Sequence, residues 1–82
     1  MHDVANAIAK AHILPYNAKF EFTSLNKEQT KFLCVVSHPT LNANIEENIN
    51  THGLPFDIAE EYVHCRIHGI AAKLLSKLYP EK

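Results

Sequence analysis

Pro55–Tyr79, PFDIAEEYVHCRIHGIAAKLLSKLY, decides the fold, because it is the one stretch able to organise a core in a chain of 82 residues. Ala59, Val63, Ile67, Ile70, Leu74 and Leu78 recur at steps of four, four, three, four and four, which sets them on one face of a 3.6-residue helix. Ala71 and Leu75 widen that stripe. Pro55 suits a first-turn position, and Asp57, Glu60 and Glu61 stand where the helix dipole favours negative charge. Lys73 and Lys77 near the far end, followed by Pro80, mark the stop. The spacing predicts one long helix over 55–79.

Working back from it, Asp3 is a candidate N-cap for a first helix over 4–14, with Val4, Ile8 and Ala11 inward and Ala5, Ala7 and Ala9 keeping it slim. Pro15 ends that helix. Lys19–Thr23, KFEFT, alternates aromatic and charged residues as a strand with one buried face does. The polar run SLNKEQ at 24–29 fits a hairpin loop, and TKFLCVVS at 30–37 fits the second strand. Phe32, Cys34 and Val36 face the core in this reading. Leu33 and Val35 make the other side apolar too, so the strand is either central or covered.

The stretch 41–52 carries both periods. Leu41, Ile45 and Ile49 are spaced by four and Gly53 follows as a terminator, which favours a short helix; Leu41, Ala43 and Ile45 also alternate with Asn42, Asn44 and Glu46, which suits a third strand. The expected fold is α+β in a single domain, 1–82: an N-terminal helix, a β-hairpin, a short helix (or third strand), and the long C-terminal helix packed on the hairpin.

That order resembles the double-stranded-RNA-binding domain at the coarsest level. The residues depart from the family pattern. SLNKEQ has no Gly-Pro-x-His loop, and Asp57, Glu60 and Glu61 stand where the family carries a lysine cluster on phosphates. The family's activity is therefore not carried over.

Hydrophobic content of 46% and charged content of 21% are those of a globular chain. No apolar run approaches the ~18 residues of a membrane span, and the first residues lack the pattern of a signal peptide. Cys34 and Cys65 show no CxxC spacing and read as two buried thiols in a reducing, cytoplasmic setting. The net charge of −1 conceals a segregation. No lysine or arginine occurs from Phe32 to Cys65, where Glu46, Glu47, Asp57, Glu60 and Glu61 all fall; from Arg66 onward the sign reverses through Lys73, Lys77 and Lys82.

Chemistry-bearing patterns are sparse. His64 and His68 lie one helical turn apart with Glu60 one turn earlier, a spacing that can share a metal, with Cys34 or His38 as further donors. A pair at this spacing is unspecific, and neither a metal nor another cofactor is expected. Cys65 and His64 are adjacent and point apart on a helix, and Gly53 and Gly69 make no phosphate loop, so no enzyme is expected. Arg66, Lys73 and Lys77 form a basic stripe suited at most to weak nucleic-acid binding. Cys65, Gly69, Ala72 and Ser76 form a stripe of small residues, where the first helix or a second copy of the chain, in a homodimer, could approach closely.

The functional expectation is a small non-catalytic regulator or inhibitor that occupies the basic surface of a partner protein through Glu46, Glu47, Asp57, Glu60 and Glu61. Such a protein suits a phage or mobile element acting on host nucleic-acid-handling or defence machinery. The alternatives are a metal-binding protein using Glu60, His64 and His68, and a weak nucleic-acid binder using Arg66, Lys73 and Lys77.

Overall fold

The computed structural model describes residues 1–80; Glu81 and Lys82, the last charges of the basic end, lie outside the described residues. The element order is α1 (His2–His12), a 3-10 turn (Leu14–Tyr16), β1 (Lys19–Ser24), β2 (Lys31–Ser37), β3 (Ile45–Asn50) and α2 (Phe56–Leu78). The arrangement is α+β, with a three-stranded antiparallel sheet in the order β1-β2-β3.

β2 is the central strand, which accounts for its apolar residues on both sides. Phe32, Cys34 and Val36 are buried on the helix face, while Leu33 and Val35 are half-buried on the open face. There Leu33 sits between Thr23 and Asn48, and Val35 between Glu21 and Glu46. α1 packs beside α2 and against β1, and α2 packs over β3, so both helices share one face of the sheet. One core results, with Ile13, Phe32, Ile49, Ile67, Ile70 and Leu74 as its largest fully buried side chains.

Of the two readings of 41–52 the third strand holds and the favoured short helix does not: residues 45–50 form β3. A spacing of four places Ile45 and Ile49 on one face of a strand as readily as on one face of a helix. Asn48 and Asn50 are poor helix formers, and pairing with β2 satisfies the backbone of both strands. The helix ends also shift. α1 starts at His2 with Met1 as its N-cap and no side-chain cap, so Asp3 lies in the first turn instead. Pro55 is the N-cap of α2 rather than a first-turn residue.

Two loops set the geometry of the site. In the β1–β2 loop, Asn26 Oδ1 accepts from the backbone N–H of Thr30 (3.0 Å) and Lys31 (3.2 Å), and its Nδ2 donates to Thr30 Oγ1 (2.8 Å). Thr51, the one buried polar residue among the described residues, donates from N and Oγ1 to the Thr30 carbonyl. Gly53 then turns the chain into α2 with φ of +82°, a left-handed conformation that glycine adopts without a Cβ clash.

Candidate functional site

The turn from Thr51 to Pro55 is held by the Leu54 N–H, which donates to the Thr51 carbonyl at 3.1 Å. It delivers Leu54 to the surface just ahead of α2, and Phe56 as the first residue of that helix. Phe56 is 69% exposed, Ile58 45%, Leu54 40% and Tyr62 38%, a run of large apolar side chains around one helix end. Ile58 and Tyr62 lie on the side of α2 away from the stripe that packs on the sheet, whereas Phe56 and Leu54 line a hollow together with Ala59. Asp57, Glu60 and Glu61 lie on the neighbouring flank of α2 and, with His64 and Val4 of α1, line one open hollow. The N-terminal end of α2 thus combines exposed apolar area with three carboxylates, at the helix pole where backbone N–H groups also favour negative side chains.

The five acids expected to act as one segment are divided by the fold. Glu47 projects from β3 on the same face as Ile45 and Ile49 and is clasped from α2. Arg66 Nη2 lies 2.5 Å from Glu47 Oε2, and Lys73 Nζ lies 2.6 Å from Oε1. Arg66 also donates to the Asn48 carbonyl at 3.2 Å, while its Nε is buried with no acceptor among the described residues. The hydrogen bond from Lys73 holds the Glu47 carboxyl below its ordinary range; the charges of Arg66 and Lys73 add to this, against the opposing effect of burial. Glu46 points to the other side of β3 and shares a hollow with Lys73 and Lys77 near the far end of α2. Only Asp57, Glu60 and Glu61 are brought together.

The same clasp redefines the basic stripe. Arg66 and Lys73 are engaged by Glu47, so of the three cations expected to meet phosphates only Lys77 has no carboxylate partner among the described residues.

His64 and His68 do lie one turn apart, with ring centroids separated by 4.5 Å, and His12 at the end of α1 reaches His68 at 4.8 Å. The three rings form a row, and among the described residues no group of three or more His, Cys, Asp or Glu side chains is arranged to hold a metal ion. The further donors are committed elsewhere. His38 Nε2 lies 3.0 Å from the Tyr16 carbonyl, and Cys34 is buried in the sheet, where burial and then the nearby Glu47 charge push its thiol up to about 12.

Cys65, expected to be buried, is exposed, and with it Gly69, Ala72 and Ser76. α1 does not cover that stripe, and a Cβ built on Gly69 meets nothing within 4 Å. The slim face of α1 instead packs on another side of α2, burying Ala5, Ile8 and Ala9.

The sequence reading passed over Leu54, Phe56, Ile58 and Tyr62. A signal existed for two of them: Ile58 and Tyr62 are spaced by four yet fall off the Ala59–Leu78 stripe, which marks apolar residues left outside a core. Comparison of the chain with protein-family models, with curated proteins and with solved structures found no match, so its geometry alone carries the functional reading.

Proposed function

We propose that the protein is a non-catalytic binding module that occupies the basic surface of a partner protein, and that the N-terminal end of α2 is the part that docks. The single observation carrying this reading is that Phe56 and Leu54, both exposed, line one hollow at the start of α2, while Asp57, Glu60 and Glu61 line a second on the adjoining flank of the same helix end. Exposed aromatic and aliphatic side chains at one spot supply the anchor of an interface, and adjacent charges of one sign supply steering and register. Clustered large apolar residues on a small protein otherwise favour self-association, which gives them weight as an interaction surface. Basic surfaces are frequent on nucleic-acid-handling proteins, so a regulator or inhibitor that competes with nucleic acid for such a surface fits this chemistry.

The reading departs from the acidic segment as a whole in one respect. Glu47 serves the fold and Glu46 lies apart, so docking rests on Asp57, Glu60, Glu61 and their apolar neighbours. The test is capture from native-host lysate by the wild-type chain, by Phe56→Ser/Ile58→Ser, by Glu60→Lys/Glu61→Lys and by Glu46→Lys. A species retained by the wild type and by Glu46→Lys but lost with both double variants supports the site. Retention by all four chains rejects it.

A further inference from the structure

We propose that His12, His64 and His68 form a pH-sensitive latch between α1 and α2, closed while the imidazoles are neutral and loosened when they take up protons. His12 is the last residue of α1, and its ring lies 4.8 Å from that of His68 on α2, with the planes tilted by 53°. His64 approaches the same His68 ring from the preceding turn at 4.5 Å. His68 is thus met from both helices by further imidazoles, side chains able to carry a positive charge.

The charged groups around it are placed unevenly. Along α2 the residues one turn before and after His68 are His64 and Ala72, so no carboxylate adjoins it there. Glu60 and Glu61 stand one turn ahead of His64 and, with Asp57, line the hollow that includes His64 but not His68. On α1, Asp3 and Lys10 are exposed, off the side formed by Ala5, Ile8 and Ala9, and His12 sits at the carbonyl end of the helix, where a cation is favoured. The neighbouring 3-10 turn contributes Tyr16, whose ring meets Tyr79 rather than a histidine. No carboxylate is thus placed against His68, the ring that lies between the other two.

Partial burial, and then the charges on His64 and His12, hold His68 below the ordinary imidazole value of 6.5. The folded protein then favours neutral His68, and the unfolded chain binds the proton more readily. The stability contributed by this site is fully present above about 6.5 and is lost as the pH falls through that value toward the folded one. α1 is the element that yields, since it is held by small buried side chains, Ala5 and Ala9 beside Ile8. The latch needs no partner, although His64 also lines the hollow that holds Asp57, Glu60 and Glu61.

The test combines histidine ring-proton NMR titration with amide hydrogen exchange, corrected for intrinsic rates, between about pH 7.5 and about pH 5 on the full chain. In the wild type, His68 titrates below 6.5 and α1 loses protection relative to β2 at the acid end. In His68→Gln the protection of α1 stays level across the range. In His12→Gln, a change at an exposed position, the His68 titration moves up toward its ordinary value. The proposal is overturned if α1 of His68→Gln loses protection with pH as the wild type does, or if His68 titrates at or above 6.5 with and without His12.

Discussion

Glu47 receives a hydrogen bond on each carboxylate oxygen, one from Arg66 and one from Lys73, and its side chain is only 17% exposed. Removing its charge leaves a half-covered guanidinium without its counter-ion, so Glu47→Gln is expected to destabilise the fold by roughly 1–2 kcal/mol in urea unfolding. The pH dependence has a definite sign. Because the Glu47 carboxyl is held below its ordinary value of 4.5, its contribution is complete above that pH and fades as the pH falls below it. The acid limb of a stability–pH curve should accordingly be shallower in Glu47→Gln than in the wild type. In sequence Glu47 is one acid among several, since only the pairing of β3 against α2 makes it structural. The two thiols are expected to separate cleanly: a disulfide-exchange reagent at neutral pH should modify exposed Cys65 quickly and Cys34 only through unfolding, because a thiol at about 12 has almost no thiolate there. Gly69 is the third test. Its Cβ position is open, so Gly69→Ala should stabilise the protein by about 0.8–1 kcal/mol through helix propensity alone. A loss of stability on thermal unfolding would mean that something packs against it.

The long helix was legible from its sequence because six apolar residues keep one 3.6-residue face, and a pattern of that length tolerates no rival period. The observed helix, Phe56–Leu78, ends within a residue of the expected bounds. β1 and β2 were legible for a similar reason, with their alternation set by Phe20, Phe22, Phe32, Cys34 and Val36. The stretch that became β3 was not, because its apolar residues fall at an interval shared by both periods. What decided it is long-range: β2 is apolar on both sides and needs a neighbour on each edge. The β1–β2 loop was legible as a loop but not in its mechanism, which rests on Asn26. Asn26→Ala removes the acceptor for two backbone N–H groups and the donor to Thr30. It is expected to cost about 1–2 kcal/mol, measured by chemical denaturation, whereas Lys27→Ala on the exposed tip should have little effect.

At the scale of the molecule, segregation of charge along the sequence does not become a two-signed surface of the same outline. Folding brings β3 under the basic middle of α2, so the single charge of Glu47 is shared by Arg66 and Lys73, and Asp57, Glu60 and Glu61 remain as the coherent acidic group. The candidate site was therefore half legible. The acids at the start of α2 could be read directly, while Leu54 precedes the helix and Phe56 opens it, and the turn at Gly53 sets both at the same helix end as those acids. The N-terminal end of α2 as the docking surface is the central claim, and association kinetics with the isolated partner test it most directly. Glu60→Lys/Glu61→Lys should slow association, with the larger effect at low salt, because exposed charges act over a Debye length of about 10 Å at 0.1 M. Phe56→Ser should leave association nearly unchanged and speed dissociation, at no cost to folding, since the ring is already in solvent. The account is contradicted if both variants bind with wild-type kinetics, or if Glu46→Lys alone reproduces their effect.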